Sequence, residues 1–145
     1  MKKMNNKGFS LVELIVVIAI MAVLIGVLAP QFMKYVEKSR ESTDIQNLDT
    51  CVSAVRTYYA DKDTVPAKVK ISGKKDAKLT GNDTDNAALT DGGCAKSTVK
   101  GDWGDDGISA EIDMKTGAVI YSGTATYYKA DTDKGFVAVT PAAGK

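Results

Sequence analysis

The sequence predicts an α+β chain: one long N-terminal helix, apolar in its first half and amphipathic in its second, packed on a C-terminal antiparallel sheet of three to four strands. Three observations predict it. From Phe9 to Ala29 the chain holds 21 residues of which only Ser10 and Glu13 are polar. Behind that run, Ile45, Leu48, Val52, Val55 and Tyr59 recur at three- and four-residue spacing, the period of a helix with one buried face. From Gly107 onward the pattern changes to short alternating segments separated by turn residues, as strands require.

At ~1.5 Å of rise per residue the apolar run spans ~30 Å, the thickness of a bilayer's hydrocarbon core. Glu13 is its anomaly. A carboxylate in lipid costs several kcal/mol unless it is neutralised or paired, so an intramembrane Glu is by default a functional residue in need of a cation. No basic residue lies within the run. A free amine would stand at the helix start only if the chain were cut just before Phe9. The segment ahead, Met1 to Gly8, carries three lysines and no acid, as a cytoplasmic leader does. Lys34, Lys38 and Arg40 follow the run, so counting charges is even and only their density in the leader favours N-in, C-out. Two other readings compete. A secretory peptide could be cut after Val27-Leu28-Ala29, but Pro30 would then follow the scissile bond with fixed φ and no N–H. A plain single-pass anchor explains the hydrophobicity and leaves Glu13 unpaired.

Gly8 followed by Phe9-Ser10-Leu11-Val12-Glu13, with a Lys-rich leader before it, an apolar helix behind it and Pro30 at its end, resembles the class III signal of type IV pilins and pseudopilins. The resemblance covers roughly the first 35 residues. It implies cleavage between Gly8 and Phe9, methylation of the new Phe9 amine, and subunit assembly through Phe9 and Glu13. It also implies a type IV pilin-like fold, with a leader at 1–8, a membrane or filament-core half-helix at 9–30 and a globular domain at 31–145. Within that domain we expect the amphipathic half-helix at 31–61, a loop at 62–106 and the sheet at 107–145.

Composition excludes several other classes. Lys plus Arg is 19 and Asp plus Glu 18; without Lys2, Lys3 and Lys7 the balance is 16 against 18, a side-chain charge of −2, which is no footprint for nucleic acid. The chain has no His, which removes the commonest general base and metal ligand and every Ser-His or Cys-His nucleophile. We expect no enzyme and no cofactor. The 115 residues from Gln31 onward suffice for one modest core.

Gly26 and Pro30 are four apart, so the backbone bond that Pro30 cannot donate is the one Gly26 would accept. This turn is weak by construction; the resemblance implies that it loses helical structure in assembled pili, while a tolerated membrane-helix irregularity is the simpler reading for one subunit. Lys38, Arg40, Glu41, Asp44, Asp49 and Arg56 are expected on the helix faces away from the apolar stripe. Asp61 to Pro66 ends the helix, because Pro66 disfavours α geometry at Val65. From Phe9 to about Asp61 it would be ~80 Å long.

Residues 67–106 read mainly as loop, with a short strand at Lys68 to Ile71 and six glycines thereafter. So long a loop needs a pin. Cys51 and Cys94, the only cysteines, supply one if the domain is exported: a disulfide closing a loop of about 40 residues is worth roughly 4 kcal/mol in the chain-entropy model. The alternative is two thiols, with Cys51 buried as a small hydrophobe and Cys94 exposed. Strands are expected at Ile108 to Asp113, Ala118 to Ser122, Thr124 to Lys129 and Phe136 to Thr140, the first two joined by a hairpin through Gly117. Many Gram-negative relatives staple a C-terminal loop with a disulfide. No cysteine follows Cys94, so that region must be held differently or be missing.

Asp102, Asp105 and Asp106 in a Gly-rich turn are weak candidates for calcium, since their spacing does not match an EF-hand and Asp and Gly are common turn residues. Trp103 and the pairs Tyr58-Tyr59 and Tyr127-Tyr128 could form an adhesive carbohydrate platform, though core or subunit contacts are the commoner use. The expected function is a structural major subunit of an extracellular type IV pilus. Its partners are other copies of the chain in a helical filament, a prepilin peptidase, an assembly platform with its ATPase, and the cytoplasmic membrane that holds the precursor. A secretion or competence pseudopilin is the alternative, and a membrane-anchored binding domain that never polymerises is the more distant one.

Overall fold

The computed structural model describes residues 10–82 and 86–141. In chain order these form α1 (Leu11–Ala60), β1 (Lys68–Gly73), α2 (Asn86–Asp91), a 3-10 turn at Cys94–Lys96, β2 (Ile108–Asp113), β3 (Val119–Ser122), β4 (Tyr128–Asp131) and β5 (Gly135–Ala138). The chain divides into two compact units, Met1–Val36 and Glu37–Lys145. Residues 31–35 are all exposed, and Glu37, the first residue of the second unit, accepts from Asp102 N at 2.8 Å.

Within the first unit every residue from Ser10 to Tyr35 is exposed. Its apolar side chains face outward on all sides, from 42% exposed at Val17 to 72% at Leu11, as in a helix whose solvent is not water. Mean hydropathy over its most apolar window is 3.1, and α1 is long and apolar enough to cross a membrane. Pro30 sits inside the helix, which continues through it.

In the second unit the buried stripe of α1 comprises Glu41, Asp44, Leu48, Cys51, Val52, Val55 and Tyr59. Ile45 is only partly buried at its flank. The apolar part of this stripe covers a three-stranded antiparallel sheet ordered β1-β2-β3. Register sets Val69 opposite Ile112 and Ile71 opposite Ala110, so Val69, Ile71, Ile108, Ala110 and Ile112 all point to the core. That is the period-2 alternation of a sheet with one wet face. On the wet face Lys68 and Glu111 pair at 2.7 Å, an exposed contact that adds little.

The hairpin between β2 and β3 forms as expected, and its turn is built by one side chain. Asp113 Oδ1 accepts from Lys115 N and Thr116 N at 2.9 and 3.0 Å, and Gly117 takes the left-handed position at φ +75°. The same chemistry recurs between β4 and β5, where Asp131 Oδ1 accepts from Asp133 N and Lys134 N and Gly135 has φ +78°.

Two expectations need correction. Residues 62–106 are not simply loop: β1 is longer than Lys68 to Ile71 and joins the main sheet, so the sheet does not lie wholly within 107–145. Further along, residues 77–79 and 97–99 pair with each other through Leu79 N to Ser97 O and Val99 N to Ala77 O, which buries Leu79 and Val99. Nor is Thr124 to Lys129 one strand. Thr124 bridges Lys129 across a tight turn closed by Ala125 N to Tyr128 O at 2.8 Å, and β4 pairs only with β5. The fold is therefore a three-stranded sheet plus a hairpin. Phe136 of β5 docks that hairpin edge-on against Trp103 and Tyr121, with ring centroids 5.2 and 5.5 Å away.

Two leucines of α1 should report the difference between its halves. Leu48 is fully buried and Leu24 is 53% exposed. Leu48→Ala should lower unfolding free energy by about 2–5 kcal/mol, and Leu24→Ala by less than about 0.5 kcal/mol. Fluorescence of Trp103, the single tryptophan, measured in denaturant on the full chain in detergent checks both.

Candidate functional site

At the N-terminus, Gly8 and Phe9 lie outside the described residues. Ser10 and Glu13 do not. Ser10 N donates to Glu13 Oε2 at 2.8 Å, immediately ahead of the first helical residue, Leu11. This is half of a capping box, in which a Glu in the first turn reaches back to an N–H that the helix cannot satisfy. The Glu13 carboxylate, read from sequence as unpaired, therefore has a local donor. Gly26 has open space where a Cβ would stand, so packing within the chain does not demand a glycine there.

In the second unit, two carboxylates of α1 that were expected to face water, Glu41 and Asp44, turn inward. Glu41 and Asp44 are 0% and 1% exposed. Asp44 Oδ2 accepts from Gly101 N at 2.6 Å and Trp103 Nε1 at 2.9 Å, while Oδ1 accepts from Lys100 N at 2.9 Å. Glu41 Oε1 and Oε2 accept from Thr126 N at 3.1 Å and Tyr127 N at 2.8 Å. Glu37, half-buried, takes Asp102 N. Consecutive backbone donors at 100, 101 and 102 thus all end on helix carboxylates, as do the two at the tip of the 124–129 turn. This explains why 124–129 folds back instead of extending: its central N–H groups are claimed from outside the sheet.

Gly101 is required here. A Cβ would lie 2.9 Å from Asp44 Oδ2 and from Glu41 Cγ, closer than real side chains approach. Burial pushes the Glu41 carboxyl above its ordinary value, against the pull of the Tyr127 and Thr126 N–H groups and with help from the nearby Glu37 charge. Further along, Tyr121 OH donates to Asp49 Oδ1 at 2.9 Å. Burial, then that carboxylate, push the phenol up to about 12, so it remains a donor at neutral pH. The Arg56 guanidinium donates to Gly117 O and ties the β2–β3 turn to the helix. Sequence reasoning missed Glu41 and Asp44, although a signal existed: they stand seven and four positions before Leu48, on the continuation of its own stripe.

The remaining candidates are placed as follows. Cys51 and Cys94 are two thiols in the structure and not a bonded pair; both are buried in the main core, Cys94 included, which the two-thiol alternative had placed in water. Asp102 pairs with Lys75 at 3.6 Å and accepts from Gly104 N. Asp105 and Asp106 line a polar cleft of about 470 Å³ with Lys70, Ser109, Ser122 and Thr124. Among the described residues no three His, Cys, Asp or Glu side chains converge as a metal site. Trp103, 2% exposed, has its indole N–H on Asp44 and offers no open platform. Tyr59 is buried and Tyr58 half-buried, their rings edge-to-face at 5.1 Å.

Residues 3–29 match the family of the prokaryotic N-terminal methylation motif. The chain is 34% identical over 59 residues to the type IV major pilin protein PilA of Myxococcus xanthus, covering 41% of this chain and 27% of that protein. It is 39% identical over 67 residues to fimbrial protein EcpC of Eikenella corrodens, covering 46% and 44%. With the type IV narrow pilus major component PilA5 of Thermus thermophilus it shares 37% over 65 residues, covering 45% and 52%. The matched stretches thus span between about a quarter and a half of the length of these relatives. No solved structure matches the chain significantly.

Glu41→Gln places an amide N–H2 against an N–H donor and should destabilise the chain by about 1–3 kcal/mol. The pH dependence has a fixed sign. A carboxyl raised in the folded state contributes stability below its unfolded value, near 4.5, and loses it as pH rises through the folded value. The stability gap between wild type and Glu41→Gln should therefore narrow from pH 4 toward pH 7; denaturant titrations at several pH values that show it widening would contradict the burial-driven shift.

Proposed function

We propose that this chain, whose N-terminal segment carries the methylation motif and the apolar helix of type IV pilins, is a structural subunit of an extracellular type IV pilus and not an enzyme. The observation that carries this reading is the combination of residues 3–29 with a helix that leaves every apolar side chain of its first half exposed. Such a helix is stable only in lipid or against other copies of itself. The three relatives are named as pilin, fimbrial and pilus components, which favours a pilus over a secretion pseudopilus or a lone anchored domain.

On this proposal the precursor sits in the cytoplasmic membrane with its N-terminus inside and its domain outside. A prepilin peptidase cuts between Gly8 and Phe9, the Phe9 amine is methylated, and an assembly platform driven by its ATPase moves the subunit from membrane to filament on the cell surface. Gly8 suits the cut because it offers no side chain to obstruct a membrane protease. The weak turn between Gly26 and Pro30 is where the helix would yield in the filament.

Two experiments test the scheme. Gly8→Val should leave the leader attached and abolish filaments; mass spectrometry of the membrane form that finds a chain beginning at Phe9 would count against the cut. Glu13→Val should be inserted and cut after Gly8 yet assemble poorly, and Glu13→Asp, with its shorter stem, should be impaired as well. Leaving a buried charge without its partner costs about 3–5 kcal/mol, so filament released by shear should fall at least tenfold relative to total membrane protein.

A further inference from the structure

Cys51 and Cys94 stand 43 positions apart in the sequence and are 0% and 2% exposed in one core. Neither takes part in the assembly described above. What brings them together is a close approach of two backbones. Gly92 lies so near α1 that a Cβ on it would stand 2.3 Å from Ala54 Cβ, so only glycine permits the contact. Gly93, at φ +76°, then turns the chain into the 3-10 turn that begins with Cys94. Ala54 is one helical turn beyond Cys51 on the same side of α1, so a segment docked on Ala54 through Gly92 delivers Cys94 to Cys51.

The surroundings leave these sulfurs only each other to react with. The two thiols interact directly, and burial first, then Cys94, push the Cys51 thiol up; it is no nucleophile in the closed domain. Cys94 has a further weak contact, from Sγ to Gly92 O at 3.9 Å. No metal-binding set includes either among the described residues. With both sulfurs sealed from solvent, any oxidation must precede docking of the 86–96 segment.

We propose that Cys51 and Cys94 are joined by a disulfide in the exported chain, made while the 86–96 segment is still undocked and then sealed in the core when Gly92 closes on Ala54. One cysteine thiolate attacks the disulfide of an oxidant, a thiol–disulfide oxidoreductase or a small-molecule disulfide, and one oxidant thiol leaves. The second cysteine then displaces the other. The S–S bond is new, the oxidant is reduced to two thiols, and the two cysteine protons end on them. The chemistry rests on export of the domain to an oxidising compartment.

The test uses the full chain from the surface fraction of cells, denatured in the presence of an alkylating agent and digested without reductant. The expected result is a single linked peptide pair carrying Cys51 and Cys94, lighter by two hydrogens, with no alkylated cysteine. Wild type reduced with dithiothreitol in denaturant and refolded in detergent with the reductant present should melt on the order of 10 °C below the unreduced chain, while a Cys51→Ala/Cys94→Ala double variant treated in the same way is unmoved. Gly92→Ala, which blocks docking on Ala54, should leave closure by oxidised glutathione during refolding at the wild-type rate but make the bond reducible by dithiothreitol in the folded chain, where the wild-type bond resists it. Two alkylated cysteines in the surface chain, or a wild-type melting temperature unchanged after reduction in denaturant and refolding, overturns the proposal. If those thiols occur on a chain beginning at Phe9 within filaments, the disulfide fails and the pilus reading stands; a linked pair in a chain that never enters filaments does the reverse.

Discussion

A carboxylate removed from water must be met by donors, and the globular unit depends on how α1 meets that requirement twice. An unpaired charge in a core is among the costliest errors a fold can make. Asp44 is met by Lys100 N, Gly101 N and the Trp103 indole, and Glu41 by Thr126 N and Tyr127 N. These donors lie more than 50 residues along the chain from their acceptors and belong to two separate segments. The helix thereby dictates where two otherwise irregular stretches run. It also holds the 124–129 turn, in a stretch of the chain that has no cysteine, through the Glu41 carboxylate. Trp103 couples both arrangements, since its N–H serves Asp44 while its ring seats Phe136 of the β4–β5 hairpin.

The same helix presents two stripes governed by different solvents. From Leu48 to Tyr59 its buried positions are spaced for one face and leave Asp49, Ser53 and Arg56 outside, as a water-facing helix requires. From Leu11 to Ala29 no such division exists, because every direction is apolar. Burying a side chain of that kind contributes about 1.5–3 kcal/mol, so the exposed surface amounts to a strong drive toward lipid or toward identical helices. Between those two destinations the hydrophobic effect barely discriminates. On the proposed pilus reading, selection between membrane and filament must come from polar features, and Glu13 is the only ionisable residue in that stretch.

Much of this was legible in the sequence. The apolar run, the amphipathic stripe at Leu48, Val52, Val55 and Tyr59, and the hairpin through Gly117 follow from periodicity and turn chemistry that act over a few residues. What escaped was long-range. Glu41 and Asp44 carry the polarity of surface residues, and only donors 56 to 86 positions later make their burial tolerable. Thr124 to Lys129 has strand composition, with two Thr and two Tyr among its six residues, yet its central N–H groups are taken by Glu41. Local preference is overridden there by a partner that no local window contains. β1 was recognisable from Val69 and Ile71, but its pairing with β2 rests on a register set across about 40 intervening residues. For the candidate assembly site, motif and spacing mark Gly8, Phe9 and Glu13, whereas the Ser10 N–H partner of Glu13 emerges only from the geometry of the helix start.

That partner bears on how Glu13 could act in the proposed filament. A carboxylate has two oxygens and roughly four acceptor positions. The cap occupies Oε2 with one N–H, which orients the group and holds it at the first turn. Oε1 keeps its lone pairs, and the helix start gathers the partial positive charge of unsatisfied N–H groups around it. A neighbouring subunit's Phe9 ammonium would then meet a carboxylate already fixed in place and lose less freedom in pairing with it than with a mobile side chain. The cap and the intersubunit pair are thus complementary rather than rival uses of one residue. Substituting Asp moves the carboxylate one methylene back toward its own helix, where both contacts suffer together, whereas Gln keeps a carbonyl oxygen for the Ser10 N–H and loses only the charge.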